Sequence, residues 1–123
     1  MTDHTQPHVT LLNAILVALG ARPDCRVWRQ EVGLWLRPNS LTPVRPLPNG
    51  EPDIKGLLAP SGRTLAIEVK TGSGRASDVQ RKRLAMYRAM GAVAGVCRSV
   101  DQAVRAVEAA ARGEWAPGEG LDL

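Results

Sequence analysis

The stretch EPDIKGLLAPSGRTLAIEVKTG, residues 51–72, decides the fold of this chain. It contains two segments rich in apolar residues, 53–58 and 64–70, separated by Ala-Pro-Ser-Gly at residues 59–62. Proline at the second position and glycine at the fourth are typical of a type I turn. The stretch therefore predicts a β-hairpin.

The centre of this turn sets which side chains face each other across the hairpin. A turn centred in the middle of residues 59–62 places Asp53 directly opposite Glu68, so that both side chains lie on one face of the sheet. Lys70 lies on that face as well, because strand side chains alternate between the two faces. The opposite face is predicted to pack into the core through its apolar residues, which are Ile54, Leu65, Ile67 and Val69.

Two facing carboxylates repel each other unless one is protonated or a cation lies between them. A hard divalent cation such as Mg²⁺ prefers oxygen ligands and usually takes one or two carboxylates while keeping several waters. Lys70 beside such a site could orient or deprotonate a water for metal-assisted phosphodiester hydrolysis. The alternative is a structural salt bridge between Lys70 and Asp53 or Glu68, and spacing alone leaves both open.

The rest of the chain predicts the order α-β-β-β-α-β-α, a small mixed β-sheet flanked by helices. Ser77 and Gln80 form a capping-box pattern that opens the second helix, and Ser99 and Gln102 repeat it. The last strand follows a helical crossover and is therefore predicted to lie parallel to strand 64–70. We expect one domain over residues 1–123, with its core at about 9–112 and a loose tail at 113–123 in which Trp115 is the candidate anchor. The other predicted elements are helix 9–19, strand 26–32, loop 38–52, helix 77–90, strand 93–98 and helix 100–112.

Composition narrows the classes of partner. The net charge is +4 and most basic residues are arginine, whose planar fork suits phosphate. Aromatic residues make up 3% and phenylalanine is absent, which disfavours a single-strand binder that stacks bases. Contacts to a phosphate backbone fit better, although a solvated helix face is the alternative. The candidate phosphate-binding residues are Lys55, Arg75, Arg81 and Lys82.

Other sequence features suggest an ordinary cytoplasmic protein. No apolar run approaches the roughly 18 residues of a membrane span, and the polar N-terminus does not resemble a signal peptide. Cys25 and Cys97 lie far apart outside any metal-binding spacing, so we expect reduced thiols. His4 and His8 are spaced as a helical metal pair, but they lie in a polar end beside a proline, and we do not expect them to bind metal.

The hairpin residues match a known nuclease pattern. Pro52-Asp53 followed by Glu68-Val69-Lys70 resembles the PD-(D/E)xK signature. The wider pattern, over about residues 29–104, resembles the VRR-NUC domain, which occurs in small stand-alone phage and bacterial proteins. The flanking positions that carry this resemblance are Gly50, Glu51, Ile54, Gly56, Ile67, Ser77, Gln80, Gly91, Arg98 and Ser99. The resemblance implies a protein of a bacterial or phage-infected cell.

The resemblance implies a restriction-endonuclease-like fold and Mg²⁺- or Mn²⁺-dependent cleavage of DNA, often branched or flapped. By position, it implies that Asp53, Glu68 and the Val69 backbone carbonyl bind the metal. It implies that Lys70 positions the attacking water and that Gln80 lies near the scissile phosphate. A homodimer that meets two strands of a junction is an attractive hypothesis, with the apolar residues 33–36 as one candidate interface.

One departure from the family pattern concerns the first helix, where relatives usually carry a glutamate facing the site. Residues 9–19 contain no acid, and we expect His8 to be a poor substitute for binding a hard cation. Glu31 is the candidate replacement ligand. The departure motivates an alternative function, a nucleic-acid-binding module that has the fold but does not cleave. A further alternative is an accessory subunit that binds its partner through residues 33–36.

Overall fold

The computed structural model describes residues 7–31, 35–36, 38–44 and 47–123. The predicted order of elements holds, with one addition: β2 and β3 pair with each other as a separate ribbon. The prediction of an irregular loop over residues 38–52 is therefore wrong at β3. The elements are α1 (Pro7–Gly20), β1 (Cys25–Arg29), β2 (Trp35–Leu36), β3 (Pro43–Val44), β4 (Ile54–Leu58), β5 (Arg63–Val69), α2 (Asp78–Ala89), β6 (Val93–Cys97) and α3 (Val100–Ala111).

The main sheet has the strand order β1-β4-β5-β6. β4 pairs antiparallel with both β1 and β5, whereas β5 and β6 are parallel, as the helical crossover predicted. Ile54 pairs with Ile67, which confirms the predicted hairpin register. The small mixed sheet flanked by helices is thus confirmed.

The turn of this hairpin is not the predicted type I turn. The Gly62 N–H donates to the Leu58 carbonyl at 2.7 Å, so the hydrogen-bonded loop spans five residues rather than four. Gly62 has a φ of 74°, which suits glycine, and the Ala59–Pro60 peptide bond is cis. The register is nevertheless kept because the loop remains centred at the same point.

The two faces of the sheet are covered by different helices. α1 and α3 cover the face predicted to be apolar, where Leu12, Ile15 and Val107 pack with the inward side chains of β4 and β5. α2 packs on the other face, where Leu84 joins Ala66 and Ala94. This second layer covers β5 and β6, so the polar end of the hairpin lies beside the N-terminal half of α2.

Two details of α3 differ from the sequence expectation. Its N-cap is half a capping box: the Ser99 hydroxyl accepts from the Gln102 N–H, but the Gln102 side chain accepts from the Arg98 N–H instead. The helical spacing of apolar residues predicts a buried face made of Val100, Ala103, Val104, Val107, Ala110 and Ala111. In the structure Ala111 is exposed, whereas Ala106 and Ala109 are buried. The predicted face was therefore slightly misplaced around the helix.

The C-terminal segment is docked, which corrects the prediction of a loose tail. Leu121 is 1% exposed and belongs to the main core. Asp122 forms an isolated antiparallel bridge with Val96 on the outer edge of β6. Trp115, the predicted anchor, packs against the core and donates its ring N–H to the Glu119 carbonyl at 3.0 Å.

Candidate active site

The polar end of the hairpin brings Asp53 and Glu68 together. The Asp53 N–H donates to Glu68 Oε1 at 3.2 Å, and the Val69 N–H donates to Asp53 Oδ2 at 2.9 Å. Asp53 is 8% exposed and Glu68 3%. Lys70, at the end of β5, places its Nζ 3.2 Å from Glu68 Oε2. The register therefore produces the predicted grouping of two acids and one lysine.

The charges of this group are not balanced. Burial, and then the negative charge of Asp53, raise the pKa of Glu68 to about 7, although Lys70 acts in the opposite direction. A carboxyl group with such a pKa is partly protonated at neutral pH. Two buried carboxyl groups thus share one lysine, and full ionisation of both is unfavourable in this pocket.

Gln80 both caps α2 and contacts the acidic pair. Its Oε1 accepts from the Ser77 N–H at 2.9 Å, completing the confirmed capping box of α2. Its Nε2 donates to Glu68 Oε2, also at 2.9 Å. The N-terminus of α2 is therefore joined directly to the acidic pair.

A third buried carboxylate, Glu51, was not predicted to have a role. It accepts hydrogen bonds from Gln30 Nε2 at 2.8 Å, Arg83 Nε at 2.7 Å and the Tyr87 hydroxyl at 2.6 Å. Lys55 donates to the same hydroxyl at 2.6 Å. Through these contacts Glu51 joins the end of β1, the strand β4 and the helix α2 close to Asp53.

Burial alone would raise the pKa of Glu51. The hydrogen bonds from Tyr87 and Arg83, with the positive charges of Lys55 and Arg83, outweigh this effect and hold the pKa below its ordinary value. Glu51 is therefore ionised and structural, unlike Glu68. Glu51 belongs to the stretch that carries the family resemblance, but its partners are distant in sequence, so no local pattern indicated these contacts.

Glycine at position 50 allows this arrangement. Gly50 has a φ of 82°, and a Cβ there would lie 2.7 Å from Val79 Cγ1 and 2.8 Å from the Val79 carbonyl oxygen. The segment before Asp53 therefore passes so close to α2 that only glycine, which has no side chain, fits at this position.

His8 also lies at the site, although the sequence interpretation had set it aside. Its Nε2 is 3.2 Å from Asp53 Oδ2, and its side chain is 38% exposed. The first turn of α1 thus places an imidazole at the acid pair. The lack of an acid on α1 was the signal that could have drawn attention to this position.

The remaining predicted residues do not gather around the acids. Glu31 is exposed and, within the described part of the chain, forms no hydrogen bond or ion pair. Arg81 pairs with Asp78 and donates to the Ala76 carbonyl at 3.1 Å. Arg75 and Lys82 are exposed. Lys55 is held by Tyr87 and Glu51 rather than being a freely solvated cation.

The donor set fits a hard divalent cation. Across the described ranges, no three side chains of His, Cys, Asp or Glu form a ready-made metal cluster. Two carboxylates are nevertheless sufficient for an ion that keeps several waters. Burial, and then the charge of Asp53, make the ionised form of Glu68 unfavourable, and a bound cation would offset this cost.

A mixed sheet that presents Asp and Glu-x-Lys from adjacent strands defines a nuclease-type domain of the PD-(D/E)xK class. Comparison with protein families matches residues 20–101 of the 123-residue chain to the VRR-NUC domain. The chain therefore belongs to the VRR-NUC family, as the sequence resemblance predicted. Its described fold is compatible with that family. A search of curated proteins gives no significant match.

Membership of this family carries general consequences. VRR-NUC proteins are generally nucleases and typically depend on a divalent metal, and a nuclease domain implies DNA binding. Among the described residues, the helices are all too short or too polar to cross a membrane.

Proposed function

We propose that this chain is a Mg²⁺- or Mn²⁺-dependent endonuclease that hydrolyses DNA phosphodiester bonds and prefers branched DNA such as junctions or flaps. The observation that carries the proposal is the buried Asp53–Glu68 pair with Lys70 Nζ 3.2 Å from Glu68. Burial raises the pKa of Glu68 beside Asp53, and groups with such shifted pKa values occur preferentially at functional sites.

Asp53, Glu68 and the backbone carbonyl of Val69 would hold the divalent cation. When bound, such a cation neutralises the charge that develops on the scissile phosphate and acidifies an attacking water. This assignment gives the two buried acids a role that a surface salt bridge does not, because Glu68 remains undercompensated by Lys70.

The other residues of the group would orient the attacking water and the scissile phosphate. Lys70 carries three N–H donors and approaches Glu68 from just beyond the end of β5, so it would orient the attacking water by donating a hydrogen bond to the water oxygen. Gln80 has an amide donor at the same carboxylate and would orient the scissile phosphate as the substrate replaces that contact. Glu51 holds α2 and β4 together, which keeps Gln80 at a fixed position relative to Asp53.

The path of the DNA would follow the exposed cations near the N-terminus of α2. Arg75 and Lys82 are exposed, and Arg81 is partly so while paired with Asp78. We assign these three to phosphate contacts, which position a duplex without reading its sequence. Lys55 would contribute less to phosphate binding, since its ammonium already donates to the Tyr87 hydroxyl and pairs with Glu51.

We also propose that the active species is a homodimer, because two sites related by a two-fold axis could cut both strands of a junction. Half of the suggested interface, residues 33 and 34, lies outside the described residues; Leu36, which is described, is 66% exposed. Light scattering coupled to size exclusion tests this part, and a monomer at the concentrations that support cleavage would remove it.

A cleavage panel tests the proposal as a whole. Four-way junctions, flaps, single strands and duplexes are incubated with wild type in Mg²⁺ or Mn²⁺, with chelator as control. We expect cuts in the branched DNA, and a loss of about 100-fold or more in Lys70→Ala with DNA binding retained. Binding without cutting in either metal would favour the alternative function, a catalytically silent binding module.

A further inference from the structure

His8 adds a nitrogen donor to a site otherwise made of oxygens. Its imidazole comes from the first turn of α1, separate from the hairpin and α2 that supply the other groups. Nε2 lies 3.2 Å from Asp53 Oδ2, and the side chain is 38% exposed, so ring and carboxylate meet at the rim of the pocket.

The spacing of these two atoms suits a shared ion. Two donors that each lie about 2.1 Å from one ion at a right angle are about 3 Å from each other. The 3.2 Å between Nε2 and Oδ2 is close to that value. A neutral imidazole carries one proton, and its transfer to Nδ1 leaves a lone pair on Nε2 without any change of charge.

The chemistry of the imidazole discriminates between ions. Imidazole suits borderline ions such as Zn²⁺, whereas Mg²⁺ prefers carboxylate, carbonyl and water oxygens. A carboxylate at this position would favour the harder ion. The identity of residue 8 therefore has a direct consequence for which metal the pocket retains.

We propose that His8 is a metal ligand which shifts the preference of this site from Mg²⁺ toward borderline ions, with Zn²⁺ bound more tightly than Mn²⁺ and Mn²⁺ more tightly than Mg²⁺. The inference rests on the proposed function in that it uses Asp53 as a ligand. It is specific to this chain and concerns binding, so it can be tested without any cleavage assay.

The variants separate coordination from hydrogen bonding. His8→Gln keeps an N–H donor for Asp53 but removes the imidazole lone pair, and His8→Glu supplies an acid. His4→Ala is the matched control, since it removes the other of the two histidines in the chain. Asp53→Asn tests whether the same pocket is involved. Circular dichroism checks that each variant folds, which we expect because His8 is on the exposed first turn of α1.

Affinities for Zn²⁺, Mn²⁺ and Mg²⁺ are measured by titration calorimetry on the full chain at neutral pH, and the imidazole nitrogens are followed by NMR. We expect Zn²⁺ to move the His8 Nε2 resonance to its metal-bound position. His8→Gln should lose about 10-fold or more in Zn²⁺ affinity with little change for Mg²⁺, His8→Glu should gain affinity for Mg²⁺, and His4→Ala should behave as wild type.

Two results would overturn the inference. Wild-type Zn²⁺ affinity in His8→Gln would mean that His8 only donates a hydrogen bond to Asp53. A loss in His4→Ala equal to that in His8→Gln would mean that the ion binds a histidine pair instead. Neither result affects the proposed function, which fails separately if Asp53→Asn leaves Mn²⁺ and Mg²⁺ binding unchanged.

Discussion

Replacing Glu68 with glutamine should stabilise the metal-free protein in a pH-dependent manner. Burial and the charge of Asp53 raise the pKa of Glu68 from 4.5 to about 7. A group whose pKa is higher in the folded state contributes stability that is fully present below its unfolded value and is lost as the pH rises through its folded value. The relevant window therefore runs from 4.5 to about 7.

The size of the effect follows from the same shift. At about 1.4 kcal/mol per pKa unit, the change corresponds to roughly 3 kcal/mol of unfolding free energy across the window. Little solvent screening applies, because the Glu68 side chain is 4% exposed. Glutamine does not ionise, so Glu68→Gln should avoid this loss of stability. The gain is reduced by the stabilisation that the Lys70–Glu68 ion pair gives the wild type.

The assay is urea unfolding monitored by circular dichroism, in chelator, between about pH 5 and about pH 8. The stability difference between Glu68→Gln and wild type should move in favour of the variant by up to about 3 kcal/mol as the pH rises. Glu51→Gln is the control. Its pKa is lowered by its partners, so it should be less stable than wild type by a constant amount across this range. A pH-independent difference for Glu68→Gln would refute the electrostatic account of the pocket.

Three further predictions address the metal, the sheet and the tail. Mn²⁺ affinity, measured by calorimetry, should rise about 10-fold per pH unit while Glu68 is still protonated and level off above its pKa of about 7, because binding displaces that proton; an affinity that does not change with pH would contradict this. Gly56→Ala should lower the melting temperature markedly, since its Cβ would lie 2.4 Å from the Arg26 carbonyl oxygen, whereas Gly20→Ala, with nothing within 4 Å, should not. Leu121→Ala should cost about 2–4 kcal/mol in urea unfolding, and a cost near zero would mean that the tail is not docked.

The hairpin could be predicted because its information is local. Turn residues at 59–62 and alternating side chains fixed the register, and the register alone brought Asp53, Glu68 and Lys70 to one face. The capping box at Ser77 was local in the same sense. The predicted turn type was wrong, but the register was still correct because it depends on where the loop is centred and not on the hydrogen bonding of the loop.

Contacts between distant segments could not be predicted. Glu51 gains its role from Arg83 and Tyr87 on α2, and Leu121 gains its burial from the core beneath α3. His8 was set aside for its polar neighbours and its softer nitrogen, but the packing of α1 on the sheet carries it to Asp53. Such positions depend on how the helices dock on the sheet. The hydrophobic pattern shows which face of a helix packs against the sheet, but not the exact position in which the helix packs.

The measurement that tests the central claim most directly is an anomalous difference map from a crystal of the wild-type protein soaked in manganese. We predict a peak bonded to the carboxylates of Asp53 and Glu68, with the Lys70 ammonium close by. A map without any peak there, with both side chains turned toward solvent, would contradict the assignment of this pocket as a metal-dependent hydrolytic site.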